Sequence, residues 1–189
     1  ELVFTQVGGF TFQFKAGDFF QNNPYILEAF TDYVVEEAAV AGLSYLIDAY
    51  CGGGLFTLFA SRHFEQCAGV EINEYAVVLA KANANANKVD NCTFLQSSAE
   101  AIFADVEFPP ERTAVLLDPP RKGCDTEFIN QLIAFRPTRI VYVSCDPSTQ
   151  ARDLVPLRDA GYRILKVQPF DLFPQTRHIE NVVTLGLSA

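Results

Sequence analysis

The chain has no methionine, no tryptophan, only two histidines and no Cys-x-x-C pair in 189 residues. Its five cysteines, at positions 51, 67, 92, 124 and 145, are widely spaced and odd in number. Neither a Cys/His zinc site nor a disulfide framework is supported by that pattern, so no metal is expected, and a reducing, intracellular setting fits best. No apolar run approaches the roughly 18 residues of a membrane span, and no basic stretch with a following apolar core opens the sequence. An excess of positive charge is also missing: 14 Lys and Arg against 23 Asp and Glu give −9, which argues against holding nucleic acid by bulk charge. The deficit is uneven. Residues 1–117 carry 5 basic and 15 acidic side chains (−10), and residues 118–189 carry 9 and 8 (+1), leaving room for a local basic face in the second half. The length is that of one domain, and a sequence that begins with Glu1 and lacks Met is expected to be a segment of a longer chain.

What is present is a hydrophobic content of 49%, that of a compact chain. Residues 2–15 alternate apolar and polar around Gly8-Gly9, which predicts a β-hairpin. Asn23-Pro24 reads as a cap followed by Pro at the first helical position, with a helix over 25–41 stopped by Gly42. Strand signals follow at 45–49, 68–70, 93–95, 114–117 and 139–143, separated by helical stretches at 56–63, 74–87, 99–103, 126–135 and 148–160. Repeated βα units imply an α/β fold, a parallel sheet covered on both faces. Two last strands, 163–168 and 182–187, have no helix between them, so an antiparallel final pair is expected. The run Asn83-Ala84-Asn85-Ala86-Asn87 reads as a polar helix end without function.

Ligands in open α/β sheets bind at the carboxyl ends of strands, so the residues there carry the functional argument. After the first βα strand comes Asp48-Ala49-Tyr50-Cys51-Gly52-Gly53-Gly54; Thr57 stands where a dinucleotide fingerprint needs its third glycine. Glu71 ends the second strand 19 residues after Gly52, where an acid can accept from both hydroxyls of a ribose. Loop and acid together point to a nucleoside ligand without pyrophosphate, such as S-adenosylmethionine. The fourth strand runs into Asp118-Pro119-Pro120-Arg121-Lys122-Gly123, whose prolines hold Asp118 and Arg121 rigidly. The fifth delivers Cys145 just before a helix that Pro147 can open, a position suited to a thiolate nucleophile. The last strand is entered through Phe170-Asp171-Leu172-Phe173-Pro174-Gln175-Thr176-Arg177-His178-Ile179-Glu180, where Glu180 could be a base with His178 as its neighbour.

Two of these segments, the Asp118-Pro119-Pro120-Arg121-Lys122-Gly123 to Cys145 stretch and Phe170 through Glu180, together resemble the RNA uracil-C5 methyltransferase family. The likeness extends to Phe19-Phe20-Gln21-Asn22, Asp48 to Gly54 and Gly69-Val70-Glu71, and the Gln150-Ala151-Arg152-Asp153 segment is most similar to fungal tRNA (uracil-54-C5)-methyltransferases. The chain departs from the family pattern at Asp146, where Asn is usual, and at Leu55, where bacterial relatives have an Asn that contacts cofactor. The resemblance implies a Rossmann-like class I S-adenosylmethionine-dependent methyltransferase fold: a mostly parallel seven-stranded sheet with an antiparallel last strand, plus the N-terminal hairpin. Residues 1–189 would be the catalytic domain, with an RNA-binding region outside them. Gln21, Tyr50, Gly52, Glu71 and Asp118 would bind S-adenosylmethionine, Cys145 would add to C6 of uracil, and Glu180 would remove the C5 proton. Arg121, Phe173 and Arg177 are candidates to steady the RNA, with tRNA the expected partner and no protein partner expected.

Uracil C5 is too weak a nucleophile to attack a methyl sulfonium unaided, and thiol addition at C6 supplies the missing electron density. A base inside a folded RNA arm must also be flipped out to reach the thiol. Competing readings are an rRNA uracil-C5 enzyme, an amino-methyltransferase, a nicotinamide oxidoreductase disfavoured by Thr57, and a non-catalytic RNA-binding or RNA-folding module that keeps the fold.

Overall fold

The computed structural model describes residues 1–17, 23–97 and 101–187. Strands β1 (Leu2–Val7) and β2 (Phe10–Lys15) form the expected hairpin. Its two-residue turn needs left-handed backbone at both positions, and Gly8 (φ 55°) and Gly9 (φ 82°) supply it. A Cβ on Gly8 would also lie 2.4 Å from the Phe59 ring, so the turn packs against the domain only as glycine. Phe10 and Phe12 are buried by that packing, and Arg62 stacks 4.0 Å over the Phe10 ring.

Helix α1 (Leu27–Ala38) is shorter than the sequence suggests at both ends. Asn23 caps a preceding turn, its Oδ1 accepting from Tyr25 N at 3.2 Å and its carbonyl from Leu27 N at 3.1 Å. At the other end Ala39 leaves the helical region (ψ 74°), and Gly42 (φ 91°) turns the chain towards the next strand. The remaining order is β3 (Tyr45–Ala49), α2 (Leu55–Ala60), β4 (Gln66–Glu71), α3 (Glu74–Ala86), β5 (Cys92–Gln96), α4 (Ile102–Asp105), a 3₁₀ turn Pro110–Arg112, β6 (Thr113–Leu117), α5 (Thr126–Phe135), β7 (Arg139–Ser144), α6 (Pro147–Asp159), β8 (Tyr162–Phe170) and β9 (Glu180–Leu187). The 3₁₀ turn has no counterpart in the sequence reading.

Strands β3 to β9 form one seven-stranded sheet in the order β5-β4-β3-β6-β7-β9-β8, with β9 antiparallel to both neighbours and the rest parallel. The chain winds outward from β3 to β5 and then returns to start again at β6, so the order reverses between β3 and β6. That reversal opens a crevice at their carboxyl ends. Both central strands read as continuous apolar runs because alternate residues are buried on opposite faces. Leu46, Leu116 and Val141 pack under α1, α2 and the hairpin, whereas Ile47, Leu117 and Ile140 pack under α5 and α6. Among the described residues no helix is long and apolar enough to cross a membrane.

Candidate active site

The glycine loop after β3 begins with Tyr50 in left-handed backbone (φ 66°) and ends at Gly54 (φ 85°), where a Cβ would lie 3.0 Å from the Phe94 ring. Glu71 closes the loop: its Oε2 accepts from Gly52 N at 3.1 Å and its Oε1 from Asn73 N at 2.9 Å. The 19-residue separation becomes direct contact because β3 and β4 are parallel neighbours, with Ala49 registered on Val70. Beneath the loop, buried Asp48 Oδ2 accepts from Thr57 Oγ1 at 2.6 Å, and its Oδ1 has no partner. Burial pushes the Asp48 carboxyl up to about 7 against the lowering effect of the Thr57 hydrogen bonds, and the charge of Glu71 adds to the rise. The residue that breaks the dinucleotide fingerprint is therefore the one that holds this acid.

Asp118 lies one residue beyond β6 and faces the same crevice. Desolvation raises its carboxyl well above the usual range, and the charges of Glu180 and Asp48 raise it further. The next strand tips bring in the thiol and the last acid. The β7–β9 ladder ends with Ser144 registered on Asn181, so the residues beside that pair, Cys145 and Glu180, lie at the same end of the sheet and line one cleft. The electrostatics agree: burial raises the Cys145 thiol first, the charges of Glu180 and Asp118 raise it more, and a backbone hydrogen bond and Arg121 oppose them. Glu180, buried at the start of β9, is pushed up to about 7 by desolvation.

Most of these groups line one cleft of about 1040 Å³, with Asp48 buried beneath its glycine loop and outside the lining. Tyr50, Gly52, Glu71, Asp118, Arg121, Cys145, Phe173 and Glu180 meet there. Arg177 does not: it is exposed and outside the lining. Gln21 lies outside the described residues. At the rim Arg121 Nε is 3.8 Å from Asp146 Oδ2, and Arg121 Nη2 lies 3.4 Å from His178 Nδ1. Leu55 is buried at the floor of the cleft. Asp146 caps α6, accepting from Ser148 N at 2.9 Å and Thr149 N at 3.3 Å, a task that Asn performs equally.

Several supporting residues escaped sequence reasoning. Gln150, fully buried on α6, donates from Nε2 to the carbonyls of Tyr142 (2.8 Å) and Asn181 (3.0 Å) and accepts from Asn181 Nδ2 at 2.6 Å. It thereby ties together the strands that carry Cys145 and Glu180. Asp153 Oδ2 accepts from Cys124 N at 2.8 Å and Tyr142 Oη at 2.7 Å, pinning the end of the Asp118 loop. The Gln150-Ala151-Arg152-Asp153 spacing was visible, but which carbonyls those side chains reach was not. Gln13 and Phe14 of the hairpin also line the cleft, and nothing in the sequence connects them with it.

A family model described as tRNA (Uracil-5-)-methyltransferase matches residues 4–187. The tRNA (uracil(54)-C(5))-methyltransferase of Schizosaccharomyces pombe is 46% identical over 195 residues, covering 97% of this chain and 37% of that protein. Its Saccharomyces cerevisiae counterpart is 43% identical over 193 residues, covering 96% and 30%. These are the fungal relatives that the Gln150 to Asp153 segment points to. The crystal structure of Pyrococcus abyssi tRNA (uracil-54, C5)-methyltransferase in complex with S-adenosyl-L-homocysteine superposes with a TM-score of 0.83 at 31% identity, covering 98% of this chain and 44% of that one. The chain thus spans about a third of the length of the curated relatives it matches. With motifs, cleft and profile in agreement over nearly every residue, the chain belongs to the tRNA (uracil-5-)-methyltransferase family.

Proposed function

We propose that this chain is the catalytic domain of an S-adenosylmethionine-dependent enzyme that forms 5-methyluridine in tRNA, at position 54, the uracil named in its relatives. The observation that carries the reading is that Cys145 and Glu180 line the same cleft as the glycine loop. The cleft fits the cofactor: Glu71, Asp118 and Glu180 line it and suit a ligand carrying a positive sulfonium and an ammonium, and beneath its glycine loop Asp48 Oδ1 is a buried acceptor without a partner. Gly52 and Glu71 would hold the ribose, and Tyr50 and Asp118 the rest of the nucleoside and amino-acid portion. When bound, the cofactor supplies an electrophilic methyl group.

The chain's own groups do the remainder. The Cys145 thiolate adds to C6 of the flipped-out uracil, and the C5–C6 π electrons move to form an enolate with electron density on C5. C5 would then take the methyl group as the bond from that methyl carbon to the sulfonium sulfur breaks, its electron pair leaving on sulfur as a neutral thioether. Glu180, ionised, removes the C5 proton; the freed electron pair restores the C5–C6 double bond and expels Cys145 as thiolate. Arg121 and Phe173, at the rim, contact the nucleotide, with Arg121 also tempering the negative charge around Cys145. Arg177 would meet RNA outside the cleft.

RNA carrying 5-fluorouridine at the target has no removable C5 proton, so it should trap Cys145 in a covalent adduct stable to denaturing electrophoresis. Cys145→Ala should give none. Active protein that forms no adduct would remove the covalent mechanism and favour transfer to an exocyclic nitrogen.

A further inference from the structure

The run Asn83-Ala84-Asn85-Ala86-Asn87 reads as a featureless helix end, and its tertiary contacts are of another kind. Two of its amides pair with the outer edge of β2 as a neighbouring strand would. Thr11 N donates to Asn87 Oδ1 at 2.8 Å and Asn87 Nδ2 donates to Thr11 O at 2.7 Å. Gln13 N donates to Asn83 Oδ1 at 2.8 Å and Asn83 Nδ2 donates to Gln13 O at 3.2 Å. The match is geometric. Residues i and i+4 of a helix are separated by about 6 Å along its axis. Residues i and i+2 of a strand are about 6.8 Å apart and present their N–H and C=O to the same edge. Asn85, between them, is exposed on the other side of the helix.

The two amides differ in one respect. Asn83 is buried, and its second N–H donates to Gly53 O at 3.0 Å, inside the glycine loop. Both donors and the acceptor of the Asn83 amide are thus committed, two groups to the hairpin and one to the loop. Asn87 spends its second donor on Asn83 O at 2.7 Å, within the helix. The hairpin is itself a wall of the cleft, through Gln13 and Phe14.

We infer that Asn83 is a positioning residue for the cofactor cleft, joining the N-terminal hairpin and the carbonyl of Gly53 so that hairpin docking and glycine-loop shape form one equilibrium. The inference rests on the cofactor reading proposed above. Because coupling between sites is reciprocal, a ligand that favours the ordered loop must also tighten the hairpin.

Titration calorimetry with S-adenosylhomocysteine on the 189-residue protein tests it. Asp in place of Asn keeps the acceptor that binds the β2 amide and removes both donors. Asn83→Asp should raise Kd by about tenfold or more, the scale of a lost buried hydrogen bond. Asn87→Asp, which loosens the hairpin but leaves the Asn83–Gly53 bond in place, should raise Kd by a clearly smaller factor, and Asn85→Ala should leave Kd within about twofold. Both Asp variants should lower Tm, so stability alone does not separate them. Unchanged affinity in Asn83→Asp, or an equal loss in Asn87→Asp, overturns the assignment. A second measurement needs no variant: S-adenosylhomocysteine should slow hydrogen exchange at the Thr11 amide of the unaltered protein, which is held by Asn87 and is outside the cleft lining. No slowing there, with the ligand bound, overturns the coupling. Failure of the unaltered protein to bind S-adenosylhomocysteine overturns the cofactor reading and takes the inference with it.

Discussion

Asp48, Asp118 and Glu180 are three carboxyls that desolvation holds above their ordinary range; Asp118 and Glu180 line the cleft, and Asp48 is buried beneath its glycine loop. For Glu180 the rise from 4.5 to about 7 means that the folded state binds the proton more tightly than the unfolded chain. Its stabilising contribution is therefore complete below pH 4.5 and is lost as pH rises through about 7. Across that window the loss amounts to roughly 3 kcal/mol. Glu180→Gln, which cannot ionise, should be more stable than the unaltered protein at pH 8 and close to it at pH 4.5, as read by urea denaturation at both values. The same substitution should abolish 5-methyluridine formation while leaving adduct formation with 5-fluorouridine RNA. Turnover of the unaltered protein should fall below pH 7, where Glu180 holds its proton. A site residue that costs stability in its working form is expected where burial serves chemistry.

At the level of elements, the strand tips place the reactive groups, and the contacts between elements set their alignment. The β7–β9 ladder ends on Ser144 and Asn181, beside Cys145 and Glu180, and Gln150 on α6 ties the two strands together through the Tyr142 and Asn181 carbonyls. Gln150→Leu should preserve volume and α6 but leave the Asn181 side chain and two buried carbonyls without their partner. We expect kcat to drop about tenfold or more with the Kd for S-adenosylhomocysteine unchanged, because the glycine loop is untouched; steady-state kinetics beside calorimetry checks both. Most of these elements were legible. The strands at Tyr45–Ala49 and Thr113–Leu117 and the helix Thr126–Phe135 are apolar or amphipathic runs bounded by turn residues. The entry to α1 was not, because Asn23-Pro24 satisfies the same rule whether it caps a helix or the turn before it.

For the whole molecule, the sheet is the frame that every site residue hangs from, and its two central strands have no solvent-facing side. Leu116, fully buried on β6 two residues before Asp118, is a sensitive probe of that frame. Leu116→Ala should cost about 2–5 kcal/mol in urea denaturation, with the spread set by how far the core closes around the lost methyl groups. Both the acidic first half and the near-neutral second half contribute to the site: Asp48 and Glu71 come from the first, and Asp118, Glu180 and the rim residue Arg121 from the second. The sequence by itself determined the order of elements, the switch-point residues Gly52, Glu71, Asp118 and Cys145, and the family, since these depend on periodicity and on short motifs whose parts are neighbours in the chain. Only the tertiary structure decided that Cys145 and Glu180 share one cleft, that Thr57 restrains Asp48, and that an asparagine run completes the edge of a hairpin. Those pairings depend on register and on side chains meeting across as many as 76 residues, which no local pattern records.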